Sequence, residues 1–293
     1  MPTTVDKTEI LIEALPYIRR YEGKTFVIKY GGAAMIDDEL EQAFAQDVSI
    51  LEKVGINVVV VHGGGKEVTE MAERLGVASR FIDGQRYTDA QMIDIVQMVL
   101  AGKTNKDIVA RINVHHGDAV GICGIDANIL QVRRSAEDGP DLGYVGTIVK
   151  VNTAYLNLLL ANSFMPVIAP IGVDTRGQAY NINADVAASE VAAALSAEKL
   201  VFLSDVEGVM AAGKLIGSMT REEASRLIEN RTITNGMIPK IRSASSALER
   251  GVNKVHLIDG RIKHSLLLEI FTDAGIGTEM LRTLNIQPQE VRT

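Results

Sequence analysis

The sequence predicts an α/β protein built on a parallel sheet. Short apolar runs at residues 25–28, 57–61, 165–169 and 199–204 read as buried strands, amphipathic stretches alternate with them, and glycines stand just past the first two. A βαβα alternation of this kind gives parallel strands with right-handed crossovers. Alanine and glycine are plentiful, which suits close packing of helix on sheet.

Residues 8–21 read as an amphipathic helix, with Ile10, Leu11, Ala14, Leu15 and Ile18 on one stripe and Pro16 inside it, where a kink is expected. This helix precedes the first strand, so its apolar face is buried either on its own domain or against a partner subunit. The strand at 25–28 runs into Lys29-Tyr30-Gly31-Gly32. Residues 37–54 carry Leu40, Phe44, Val48 and Leu51 at helical spacing, with Asp37 placed to cap them. The strand at 57–61 ends in His62-Gly63-Gly64-Gly65. A helix over 67–75 follows, and Gly76 stops it.

Residues 81–88 read as a loop around Gly84-Gln85-Arg86, and 89–114 as mostly helical. Strands are expected at 119–124, 129–134 and 144–151, a short helix at 153–161, a strand at 165–169 and a polar turn at 172–178. Tyr180-Asn181-Ile182-Asn183-Ala184-Asp185 leads into an alanine-rich helix ending at Leu195. The strand at 199–204 precedes a hairpin tip at 211–214 and a helix at 221–230. Gly236-Met237-Ile238-Pro239-Lys240 opens a helix through Arg250, a strand follows at 252–259, and a last helix starts near His264. Because a fresh βαβ-like set begins after Leu195, the lobe boundary is expected near Ser196.

Composition excludes several classes. The net charge of −7 and the lack of basic runs with interleaved aromatics argue against nucleic-acid binding. The apolar runs are far too short to span a membrane, and residues 1–7 lack the apolar core of a signal peptide. Cys123 is the single cysteine, and a cytoplasmic protein without disulfides is the simple expectation.

The common nucleotide motifs fail. A P-loop would need glycine at Val60 and Ser or Thr at Glu67, and the first glycine turn lacks the dinucleotide spacing. His115 and His116 are adjacent and would point different ways, so no protein metal site is expected. Cys123 sits in an apolar strand and reads as packing. What remains is cations, glycine turns and one asparagine–aspartate run. Lys29 and Lys240 both sit at element ends beside glycines. Each glycine turn either cradles a phosphate on its amides or is an ordinary βα turn. Asn181, Asn183 and Asp185 alternate as in a strand, which would project them to one side, although Asp185 could equally cap the following helix. Arg86 could hold a carboxylate bidentately or simply be solvated.

This collection suits phosphoryl transfer to an acceptor that is already an anion. A carboxylate with a pKa of roughly 4.3 needs no general base at neutral pH. The obstacle is repulsion between two anions, and lysines with backbone amides would offset it.

The chain resembles the amino acid kinase family. The resemblance rests on Val27-Ile28-Lys29-Tyr30-Gly31-Gly32-Ala33-Ala34-Met35, Val60-Val61-His62-Gly63-Gly64-Gly65, Gly84-Gln85-Arg86-Tyr87-Thr88, Asn181-Ile182-Asn183-Ala184-Asp185, Leu203-Ser204-Asp205-Val206-Glu207-Gly208 and Gly236-Met237-Ile238-Pro239-Lys240, in family order over nearly the whole chain. It implies a three-layer αβα sandwich with a mainly parallel central sheet, preceded by an N-terminal helix. Residues 1–24 would serve oligomerisation, 25–196 would form an acceptor lobe and 197–293 a nucleotide lobe. It also implies transfer from ATP, with Mg²⁺ held by the ATP phosphates, to the side-chain carboxylate of N-acetyl-L-glutamate. Lys29 and Lys240 would stabilise the phosphoryl group and Asp185 would orient them. Gly64, Gly65, Arg86, Asn181 and Asn183 would hold the acceptor, and Gly31, Gly32 and Asp205 the nucleotide phosphates. The leading helix and the segment from His264 onward are similar to the arginine-inhibited, hexameric branch. By that likeness Tyr17, His264, Glu269, Gly275 and Gly277 would bind L-arginine. Alternatives are family members acting on carbamate, glutamate, aspartate or uridylate, and a non-catalytic arginine sensor. Lys66 and Asn235 depart from the family pattern, which commonly has proline and glycine there.

Overall fold

The computed structural model describes residues 4–35, 37–135, 140–234, 236–272 and 275–282, with side chains from residue 12 onward and Ala33 excepted. Ile10 and Leu11 of the expected stripe, and Asn235, therefore lie outside the described side chains. The chain opens with α1 (Thr4–Tyr21), β1 (Thr25–Tyr30), α2 (Asp38–Lys53), β2 (Asn57–His62) and α3 (Gly65–Arg74). A hairpin of β3 (Arg80–Ile82) and β4 (Gln85–Tyr87) follows, then α4 (Ala90–Val96) and α5 (Asn105–Val114). Next come β5 (Ala119–Cys123), β6 (Leu130–Arg134), β7 (Gly146–Val151), α6 (Ala154–Ala161), β8 (Met165–Ala169), β9 (Ile171–Val173), β10 (Ala179–Asn181) and α7 (Ala184–Ala194). The last third holds β11 (Lys199–Ser204), β12 (Met210–Ala211), β13 (Lys214–Leu215), β14 (Ser218–Thr220), α8 (Arg221–Glu229), α9 (Met237–Glu249), β15 (Lys254–Asp259), α10 (Ser265–Phe271) and β16 (Thr278–Leu281).

Eight strands form one sheet in the order β14-β16-β15-β11-β1-β2-β8-β5. Every neighbouring pair is parallel except β15 with β16. The central strands β1, β2 and β11 are apolar through their middles, with polar residues confined to their ends, because both faces are covered. Val27, Val59, Leu200 and Phe202 join one core with Ala187, Ala188 and Val191 of α7, Leu156 of α6 and Ala244 and Leu248 of α9. Their neighbours Phe26, Ile28, Val58, Val60, Val201 and Leu203 join a second core with Phe44, Val48 and Leu51 of α2, Ile108 and Ile112 of α5, and Leu266 and Ile270 of α10. The result is the expected αβα sandwich with α1 ahead of it. No helix among the described residues is long and apolar enough to cross a membrane.

Side-chain caps fix several helix ends, the one at Asp37 as expected. The Asp37 carboxylate accepts from the Leu40 amide and starts α2. Thr220 and Glu223 form a reciprocal capping box on α8. The helix α1 runs through Pro16, with Ile12 59% and Leu15 48% exposed.

Two expectations need correction. The loop at 81–88 is a tight hairpin, with Phe81 opposite Arg86 and Ile82 opposite Gln85. Asp83 and Gly84 both have positive φ, 49° and 78°, the backbone a two-residue Asp-Gly hairpin turn requires. The stretch at 89–114 is helical as expected, apart from a widening into π turns over Gln97–Thr104. Asn181, Asn183 and Asp185 do not share a strand. Asn181 ends β10, Asn183 caps α7 by accepting from the Asp185 and Val186 amides, and Asp185 lies in the first helical turn. Asn183 is the stronger cap because it precedes the helix, which frees Asp185 for other contacts.

Candidate active site

Parallel pairing sets the site. β1 and β2 align with Lys29 opposite Val61 and Tyr30 opposite His62, so both glycine turns emerge side by side at the carboxyl edge of the sheet. The Gly63 amide donates to the Tyr30 carbonyl at 2.7 Å and ties one turn to the other. A Cβ on Gly31 would stand 3.3 Å from both the Gly63 Cα and the Lys29 Nζ, tighter than ordinary contact. Gly64 has φ +143°, and a Cβ there would meet Leu100 Cδ2 at 2.5 Å. Gly32 and Gly65 have open space where a side chain would stand.

Lys29, Asp185 and Lys240 converge. Lys29 Nζ lies 3.1 Å from Asp185 Oδ1, and Lys240 Nζ donates to Asp185 Oδ2 at 3.0 Å. The three side chains are only 10%, 14% and 19% exposed. Burial pushes the Lys29 amine below its ordinary pKa; Asp185 opposes the shift and the Lys240 charge adds to it. Burial would raise the Asp185 carboxyl, but Lys29 and Lys240 together outweigh it and hold it below the usual carboxylate range. Asp205 stands exposed just past β11, and its charge is felt at Lys29. Gly236 precedes the first turn of α9, from which Lys240 reaches in.

Beside this group lies a cleft of about 190 Å³, lined by Gly64, Gly65, Arg86, Asn181 and Asn183 among others. Arg86 reaches it from the hairpin. Its Nη2 donates to the Gly65 carbonyl at 2.7 Å and to Thr69 Oγ1 at 2.8 Å, its Nη1 to Ser79 Oγ at 2.9 Å, and its guanidinium lies 4.9 Å from the centre of the Phe81 ring. Asn181 Nδ2 donates to Thr88 Oγ1 at 3.2 Å. A larger cavity of about 490 Å³ lies behind Tyr30, between α2 and α5, without Lys29, Asp185 or Lys240 in its wall.

The residues expected to bind arginine do not all meet. Glu269 is buried, its Oε1 2.6 Å from His256 Nδ1 and its Oε2 accepting from the Ile276 and Gly277 amides at 2.7 and 3.2 Å. Gly275 lies against the same carboxylate. His264 instead contacts Asp47 Oδ1 at 2.6 Å, and Tyr17 packs on the α2/α5/α10 core. Sequence reading missed the rest of the Glu269 cluster. Lys199 Nζ lies 2.9 Å from His256 Nε2 and 5.1 Å from the centre of the Tyr21 ring, and Lys254 Nζ donates to Glu279 Oε1 at 2.6 Å. Only the opposed polar starts of β11 and β15, Lys199 and Lys254, hinted at it.

Among the described residues no group of three His, Cys, Asp or Glu side chains is placed to hold a metal ion. Two lysines on one carboxylate, at glycine corners of a parallel sheet, suit a protein that brings anions together. A sequence model of the amino acid kinase family matches residues 24–259. The acetylglutamate kinase of Chlorobium phaeobacteroides is 54% identical over 273 residues, covering 93% of this chain and 90% of that protein. That of Trichlorobacter lovleyi is 50% identical over 292 residues, covering 96% and 100%. The solved N-acetylglutamate synthase from Neisseria gonorrhoeae, complexed with coenzyme A and N-acetyl-glutamate, superposes with a TM-score of 0.85 at 31% identity. It covers 97% of this chain, which spans 64% of that longer one. Carbamate kinase from Giardia lamblia bound to AMP-PNP shares the fold, with a TM-score of 0.66 at 16% identity, over 89% of this chain and 99% of that one. The chain belongs to the amino acid kinase family. It is an enzyme, and within that family it groups with proteins named acetylglutamate kinase.

Proposed function

We propose that the chain transfers the γ-phosphoryl group of ATP to the side-chain carboxylate of N-acetyl-L-glutamate, giving the acyl phosphate and ADP in the second step of arginine biosynthesis. The observation that carries this reading is the pair of ammonium groups on one largely buried carboxylate beside two glycine turns. A carboxylate oxygen attacks the γ-phosphorus, and the bond from that phosphorus to the ADP oxygen breaks. The acceptor is ionised at neutral pH, so no protein base is required. Lys29 and Lys240 stabilise the charge that spreads over the transferring oxygens, and Asp185 fixes where their ammonium groups point. Gly64, Gly65, Arg86, Asn181 and Asn183 hold the acceptor. Gly31, Gly32 and Asp205 hold the nucleotide phosphates, and the open space at Gly32 leaves room for them. The donor set fits Mg²⁺ carried on the phosphates, because the Asp185 carboxylate is already engaged by two lysines. When bound, that ion would neutralise charge between the β- and γ-phosphates.

The acceptor lobe in this reading is 25–196 and the nucleotide lobe 197–293. L-arginine acts as a feedback inhibitor near Glu269, and α1 joins dimers into a hexamer through the apolar face that leaves Ile12 and Leu15 exposed. ADP release with N-acetyl-L-glutamate tests the activity; its absence, with release on carbamate or another family acceptor, would replace the substrate. Arginine that leaves the N-acetyl-L-glutamate saturation curve unmoved would remove the inhibition.

A further inference from the structure

We propose that His62 is a positioning residue: it locks the Gly63–Gly64 peptide so that the Gly64 amide faces the anionic end of the acceptor. His62 ends β2 and is fully buried. Its Nδ1 lies 2.7 Å from the Gly63 carbonyl oxygen and its Nε2 lies 3.1 Å from Asn105 Nδ2. A carbonyl only accepts, so Nδ1 carries the hydrogen. The Asn105 amide is oriented independently, since its Nδ2 donates to the Val167 carbonyl at 2.9 Å and its Oδ1 accepts from Lys106 Nζ at 3.0 Å. A donor therefore faces Nε2, which must accept. One neutral tautomer satisfies both ends, and a protonated ring would set two donors against each other. Burial pushes the imidazole down to about 4, which agrees with a neutral ring.

The geometry then reaches the cleft. Across a trans peptide the Gly63 C=O and the Gly64 N–H point in opposite directions. Held at the oxygen, the unit turns its N–H away from the buried imidazole and toward the cleft that Gly64, Gly65, Arg86 and Asn181 line. The tether is needed because Gly64, at φ +143°, has no side chain to restrict it. The Gly63 amide is already tied to Tyr30.

The acceptor named in this inference rests on the proposed function. The test compares His62→Asn, whose amide N–H can stand near the Nδ1 position, with His62→Gln, whose amide stands near Nε2. The expected result is an acceptor KM raised about tenfold in His62→Gln, with kcat within about threefold and the KM for ATP unchanged, and an acceptor KM restored to within about threefold by His62→Asn. Equal acceptor KM values in the two variants, or an ATP KM that moves as far as the acceptor's, would overturn the proposal. If neither variant folds, nitrogen NMR of the histidine-labelled wild-type protein decides. His62 is expected as the Nδ1–H tautomer, without titration from about pH 6 to pH 8. An Nε2–H ring or a titrating one overturns the proposal. A wild-type protein that releases no ADP with N-acetyl-L-glutamate sinks the substrate reading alone, because the tautomer measurement needs no acceptor.

Discussion

Lys240 donates to Asp185 at 3.0 Å, and this single bond joins the start of α9 to the start of α7. It places the second ammonium group on the carboxylate that already faces Lys29.

Lys240→Ala should lower kcat by roughly 10²-fold or more, as loss of a preorganised charge donor does. Steady-state ADP release measures it. A near-normal kcat would take Lys240 out of the reaction.

Asp185→Asn should move the alkaline limb of the rate profile to lower pH. Asp185 opposes the burial that depresses Lys29, so removing the anion lets the Lys29 pKa fall further and the amine deprotonate sooner. Two ammonium groups would be left with a neutral amide between them, at a stability cost of about 3 kcal/mol. A pH–rate series and urea unfolding check both effects, and an alkaline limb that stays put would contradict the electrostatic role.

Gly64→Ala combines a strained φ with a Cβ 2.5 Å from Leu100 Cδ2. The expected loss is about 2–3 kcal/mol. Adding Leu100→Ala should relieve the steric part while leaving the backbone strain, so the double variant should fall short of the Leu100→Ala parent. Thermal unfolding of the three proteins separates the terms, and full recovery in the double variant would mean that φ carries no strain.

Lys199 supplies a pH dependence of stability. Burial pushes its amine down to about 8, Lys254 adds to that, and Glu279 and Glu269 oppose it. His256 and the Tyr21 ring face it as well. Between about pH 8 and its ordinary value near 10.5 the unfolded chain binds more protons than the folded one, so stability should rise with pH there. The gain is up to about 3 kcal/mol over the whole interval. Lys199→Met should flatten that slope in melting curves; an unchanged slope would assign it to other groups.

The strands of the central sheet were legible because Val27, Val59 and Phe202 lie between residues buried on the opposite face, which leaves no polar position to blur the run. The Asp37 cap was legible for a local reason, a side-chain acceptor before a helix, whereas the convergence of Lys29 with Lys240 was implied by the family resemblance and not by either lysine's own glycine turn. The β3–β4 hairpin was missed because its residues are mostly exposed and too few to show alternation, although Asp83-Gly84 is a hairpin turn signal. The strand β16 was missed because its neighbours β15 and β14 are set by tertiary pairing. The Lys199–His256–Glu269 chain was hidden for the same reason. Its members come from β11, β15 and α10, and only parallel register with helix docking brings them into one buried line.

Lys29 comes from the first strand and Lys240 from the ninth helix, and Asp185 lies on a helix between them in sequence. A ribosome-bound intermediate that has not yet docked α9 holds one ammonium at the glycine corner. A protease nick that releases the last third leaves the same incomplete set. On the proposed function neither fragment would set two ammonium groups on Asp185, so phosphoryl transfer would begin only after α9 has been made and docked.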